Sequence, residues 1–156
     1  MTNNFVFETN AAAKSMHAER EFNAPVEQVW KAFTEPALLD KWWGSKPFTT
    51  ETTSMDFTVG GSWHYAMVAP DGQKYPSKST FTAIEPGSRF AADTGVGHWD
   101  NKFIAVGGKT RVVIDITFED EASLQMMLDM GFENGTATSF NQLEELLAAD
   151  AVSYSL

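Results

Sequence analysis

From Asp120 to the end of the chain the hydrophobic period is helical, and that change limits the folds open to it. Up to Phe118 the apolar residues mostly alternate, as in strands with one buried face; from Asp120 they recur at helical spacing. A sheet must bury one face, and the terminal helical pattern is the only long element available to cover it. A twisted sheet curls around such a helix. Where the sheet is deeper than the helix is wide, a cavity remains between them.

The strands are legible one by one. "SMHAEREF" from Ser15 alternates weakly and ends before Pro25. "FTTETTSMDF" is rich in Thr and runs into the tight turn at Gly60-Gly61. "SWHYAMVA" sets Trp63, Tyr65 and Met67 on one face against Ser62, His64 and Ala66 on the other. "PDG" at 70–72 supplies a turn, because Pro presets one dihedral and Gly accepts positive φ. "YPSKSTFTAIE" and "RFAADT" follow, and "NKFIAV" and "TRVVIDITFED" flank Gly107-Gly108 as a last hairpin. Val112, Ile114, Ile116 and Phe118 share one face.

Two short helices interrupt the strands early. Val26, Val29, Trp30 and Phe33 fall at i, i+3, i+4 and i+7, one face of an amphipathic helix. Pro36 breaks it and opens a second, "PALLDKWW", which Gly44 is placed to end. Beyond Asp120, Met126, Met130, Ala137, Phe140, Leu143 and Leu147 keep helical spacing. Gly131 and Gly135 mark a kink, a break or a close contact there. Continuous helix is expected from about 135 to 149. The fold class is therefore α+β, with some six antiparallel strands. The 156 residues make one domain, over 13–156, after a loosely held polar segment at 1–12.

Charge and composition exclude several classes. The formal charge of −10 opposes binding to nucleic-acid phosphates and to anionic membranes. From Val112 onward there are nine acidic residues and no Lys or Arg, a solvated face or a docking face for a basic partner. With no cysteine there is no disulfide, thiolate metal site or cysteine nucleophile. No apolar run reaches the roughly 20 residues of a membrane span. The N-terminus does not read as a secretory signal, so a cytoplasmic location is expected by default.

Taken together, "REFNAPVEQVWKAFTEPALLDKWWG", "MDFTVGGSWHYAMVAPDG" and "GGKTRVVIDITFED" with a final helix resemble the domain family named after the activator of Hsp90 ATPase. This family lies within the START-like, helix-grip superfamily (SRPBCC). The resemblance covers roughly residues 14–149. It rests on the N-A-P helix start, the W-W-G ending, D-x-x-x-G-G at Asp56–Gly61 and the P-D-G turn, all in the family's order. It implies a curved antiparallel sheet around the C-terminal helix, with an apolar cavity between. The sequence departs from the family in the last helix. Many members carry E-G-W there; here "FENGTATSF" keeps Gly135 without a Trp, so the resemblance does not fix the ligand. The Gly-rich stretch "TGVGHWDNKFIAVGG" falls outside the alignable motifs and reads as a loop over a cavity mouth.

No catalytic motif stands out. The histidines His17, His64 and His98 lack the close pairs of metal sites, and no G-x-S-x-G, P-loop or dinucleotide fingerprint occurs. His64 and Asp115 are the best acid–base candidates by type, but their alternation assigns them to the solvent face. His98 beside Trp99 reads as a surface residue or a gate. No metal and no cofactor are expected. Aromatic and Met side chains carry the functional reading, with 12 Phe, 5 Trp, 3 Tyr and 7 Met. The candidate cavity wall is Trp42, Trp43, Trp63, Tyr65, Met67, Phe81, Phe90, Met126, Met130 and Phe140. Neighbouring Trp42 and Trp43 on a helix point about 100° apart, so one enters the core and the other walls or lids the cavity. The leading expectation is a non-catalytic module for a small apolar or amphipathic ligand. Two alternatives stay open: a protein-interaction, co-chaperone-like module, and a cyclase- or hydrolase-type enzyme using the same cavity. Exposed aromatics and an edge strand also leave a homodimer open.

Overall fold

A computed structural model of the chain describes residues 5–44, 46–95 and 97–155, with 150–155 described by backbone alone. Among the described residues eight strands form one antiparallel sheet: β1 (Val6–Asn10), β2 (Ser15–Phe22), β3 (Thr49–Met55), β4 (Ser62–Val68), β5 (Lys74–Glu85), β6 (Arg89–Thr94), β7 (Gly97–Val106) and β8 (Lys109–Phe118). Their order is β1-β2-β8-β7-β6-β5-β4-β3. Between β2 and β3 come α1 (Val26–Thr34) and α2 (Pro36–Trp42). After β8 come α3 (Glu121–Asp129) and α4 (Phe132–Ser155). This is the expected α+β helix-grip arrangement. None of the described helices is long and apolar enough to cross a membrane.

Among the described residues the sheet has eight strands against the expected six or so; β1 was not foreseen, and β7 starts earlier than the "NKFIAV" strand read from the sequence. Residues 6–10, read as loosely held, pair with β2 from Val6↔Glu19 to Asn10↔Ser15. Residues 1–4 of that segment lie outside the described residues, as does Val96. From Gly97 the stretch read as a loop over the mouth is a strand, paired on both sides through His98↔Asp93 and His98↔Thr117. Its alternation is plain once the register is known. Trp99, Asn101 and Phe103 face inward, while His98, Asp100 and Lys102 face out, where Arg89 clasps Asp100 at 2.9 Å.

The buried face carries the core. Val112, Ile114, Ile116 and Phe118 from β8 pack under Phe140, Leu143 and Leu147 of α4, with Val29 and Phe33 of α1 beside them. Each such side chain, fully buried, contributes about 1.5–3 kcal/mol. The long helical pattern is broken at Gly131, whose φ of +83° favours a residue without Cβ. α3 is a separate helix, started by Asp120 accepting from the Ser123 N–H at 2.7 Å. Gly135, by contrast, lies inside α4. The turn at Gly131 shifts the phase of everything before it. Met126, expected on the α4 face, is 50% exposed, and Leu124 and Met127 turn inward instead.

Candidate functional site

The site grows from the end of α2. Trp42 is the helix's last residue and is 1% exposed. Its ring meets Phe33 edge-on at 4.8 Å, and its indole N–H donates to the Ala32 carbonyl at 2.9 Å. Trp43 has already left the helix, with φ −66° and ψ 134°. Its ring swings beneath the sheet to Trp63 at 5.5 Å and Trp99 at 6.0 Å. Trp42 thus packs in the core and Trp43 stands in a wall, a choice the sequence left open. The extended backbone at Trp43 separates them, rather than the 100° helical step.

Polar contacts fix this corner. Gln142 of α4 donates to the carbonyls of Trp42 and Gly44, both at 2.8 Å, and accepts from the Lys46 N–H at 2.9 Å. Asp40 accepts from the Thr52 N–H and hydroxyl, and Thr52 in turn accepts from the Trp63 indole at 3.1 Å. Gly44 has φ +85°, and a Cβ there would fall 2.1 Å from the end of Met67. Its lack of a side chain is what lets β4 approach.

Two spaces lie between sheet and helices. The inner one, about 50 Å³, is enclosed by Trp63, Tyr65, Phe81, Phe90, Trp99, Asn101 and neighbours. The outer one, about 610 Å³, is bounded by Ala18, Ile114 and Ile116 of the sheet, by Trp42 and Trp43, and by Met127 to Phe140 of the α3–α4 arm. Trp43 and Trp99 wall both. At the outer rim Phe48 and Tyr75 meet at 6.4 Å, and Met130 is 75% exposed.

Of the sequence candidates, Trp63, Tyr65, Phe81 and Phe90 line the inner space. Trp42, Met67, Met130 and Phe140 line the outer one, and Trp43 lines both. Met126 lines neither; its neighbour Met127 takes the place. Trp99, Phe48, Tyr75, Phe132, Thr136 and Ser139 were not foreseen. The alternation of Trp99 with Asn101 and Phe103 was the available signal for the first. For the rim residues there was none, because their meeting depends on the sheet's curl.

Among the described residues, neither wall carries Asp, Glu, Lys, Arg or His. The hydroxyl-bearing groups are Tyr65, Ser79 and Thr94 inside, and Tyr75, Thr136 and Ser139 outside. Burial pushes the Tyr65 phenol above its usual value, against hydrogen bonds to Ser77 and Trp43 that lower it. His64 is exposed, and His98 pairs with Asp93 at 2.5 Å on the outer face. No cluster of three metal-binding side chains occurs among the described residues.

Asp115 also faces outward, where it meets the His17 Nδ1 at 2.6 Å while Glu19 meets Nε2 at 2.6 Å. These two bonds, that to Glu19 foremost, raise the His17 pKa above 6.5. The imidazolium is thus favoured in the folded state. Its stabilisation is complete below the unfolded value of about 6.5 and fades as pH rises through the higher folded value. In Asp115→Asn the His17 transition, followed by its ring-proton NMR shift, is expected to move to lower pH. A His17 that titrates no higher than a free histidine in the unmodified protein would contradict the pairing.

The profile of the family described as Activator of Hsp90 ATPase homolog 1-like protein matches residues 23–148. The chain belongs to this family. Solved structures agree with the family's fold. Protein Ms6760 from Mycobacterium smegmatis is 28% identical, covering 93% of this chain and 98% of its own, with a TM-score of 0.87. A protein from Arthrobacter aurescens is 30% identical over 95% of this chain and 93% of its own, with a TM-score of 0.89. The AHSA1 protein from Silicibacter pomeroyi is 21% identical over 87% of this chain and 99% of its own, with a TM-score of 0.70, and speaks to the fold alone. None of the curated proteins matches this chain.

Proposed function

We propose that this family member is a binding domain that holds one small apolar or amphipathic molecule in the outer cavity and releases it unchanged. The observation that carries this reading is the cavity of about 610 Å³ walled by aromatic, Met and aliphatic side chains. That volume lies inside the range of about 300–1,000 Å³ common to small-molecule sites. General acid–base or nucleophilic catalysis calls for an ionisable or activated group within reach of the substrate. The described walls offer hydroxyls and the Asn101 amide and carry no Asp, Glu, Lys, Arg or His, which supports holding over transformation.

The test is native mass spectrometry of gently purified protein followed by denaturing extraction. A stoichiometric adduct of defined mass is expected, and the same spectrum reports whether two copies associate. Ser139→Trp supplies the control, because an indole on that wall fills the space. The variant is expected to keep its circular dichroism and lose ligand affinity at least tenfold, about 1.4 kcal/mol. Unaltered binding by a folded Ser139→Trp would place the ligand elsewhere and end this reading.

A further inference from the structure

We infer that the cavity discriminates by charge and accepts a neutral molecule while rejecting the ionised form of the same skeleton. The inference rests on the ligand-binding reading above and narrows its chemical class. An ion taken into an apolar site without a counter-charge is strongly disfavoured and tends to neutralise instead. The outer wall offers a ligand three hydroxyls, those of Thr136, Ser139 and Tyr75. Each hydroxyl donates one hydrogen bond and accepts others. That suits an alcohol, carbonyl or amide at one end of the ligand, and it does not balance a full charge.

The surroundings reinforce the rejection of anions. The chain carries a formal charge of −10, which lowers the local concentration of anions around any opening. Asp129 and Glu133, both exposed, bracket the Met130–Phe132 lip. Across the mouth Lys74 is held by Glu51 at 2.8 Å, and Lys46 is exposed outside the cavity wall. One feature favours an anion: the first turn of α4, a partial positive end, borders the cavity. It directly follows the carbonyl end of α3, where Gly131 N–H bonds the Leu128 oxygen at 3.0 Å. The opposite partial charge of that end offsets it.

Three probes sharing one skeleton test the inference: 1-pyrenemethanol, 1-pyrenecarboxylate and 1-pyrenemethylammonium at neutral pH. Energy transfer from the tryptophans that line the cavity reads binding directly. The alcohol is expected to bind at least tenfold more tightly than either ion. In Thr136→Lys, checked for folding by circular dichroism, the carboxylate is expected to gain on the alcohol, because the wall then holds a cation. A carboxylate that binds the unmodified protein as tightly as the alcohol overturns charge discrimination and leaves the ligand-binding reading standing. So does an unchanged ratio in a folded Thr136→Lys. Failure of all three probes to bind removes both.

Discussion

Trp42→Ala is expected to destabilise the domain by about 3–5 kcal/mol, the cost of truncating a large buried aromatic. The indole is 1% exposed, packs edge-on against Phe33, and donates to the Ala32 carbonyl at 2.9 Å. Truncation therefore leaves a hole and an unpaired carbonyl together. Set against a typical stability of about 5–15 kcal/mol, the loss leaves a marginal protein. Trp43→Ala is the comparison that gives this number meaning. Trp43 is only half-buried and borders space on two sides, so fewer contacts are lost. Its cost in urea unfolding is expected to be less than half that of Trp42→Ala, while its effect on 1-pyrenemethanol binding is expected to be the larger. Equal losses of stability with equal binding would show that the two rings do not divide the work between core and wall.

Arg20 should give the second large effect. Its guanidinium is 4% exposed on the inner face of β2 and donates through Nη1 to the Phe140 carbonyl at 2.5 Å. It also lies over the Phe22 ring at 4.6 Å, with Glu144 at 3.8 Å. Burial lowers its pKa, and Glu144 works in the opposite direction. Among the described residues its Nε has no hydrogen-bond partner. Arg20→Ala removes a charged hydrogen bond and a long buried stem, and roughly 3 kcal/mol of stability is expected to go with them. Arg20→Met keeps most of the volume and removes the incompletely paired charge, so its cost is expected to be about 1 kcal/mol or less. Urea melts of the two variants separate packing from charge. If Arg20→Met proves as costly as Arg20→Ala, the ion and its bond to α4 dominate.

The sequence reading and the structure meet where local rules are strong. The stripe Val112, Ile114, Ile116 and Phe118 could be assigned from alternation alone, because one face of β8 is wholly buried. Pro36 and Gly44 bounded α2 by dihedral preference. The reading faltered where tertiary contact overrides local character. The first half of β7 hides behind Gly97 and Asp100, residues of low strand propensity that are held by pairing with the neighbouring strands. Met126 was placed inside because spacing was carried across Gly131, and a single left-handed residue destroys that phase. Gln142 carries no local sequence signal of its contacts. Its role, clasping the α2 end from 98 residues away, exists only once α4 lies across that end. Most of the candidate residues line one space or the other, but most of the lining residues were not foreseen, because alternation reveals facing and not how far a sheet curls.

Trp43 and Trp99, the two rings common to both spaces, act as a partition that belongs to side chains and not to the backbone. Shortening either one is expected to join the inner compartment to the outer one while the strands and helices stay in place. On the ligand-holding reading proposed above, the longest molecule the domain admits is then set like a movable stop on a ruler. On that same reading, domains sharing this scaffold differ in the reach of what they hold by a single substitution, while the frame around it stays the same.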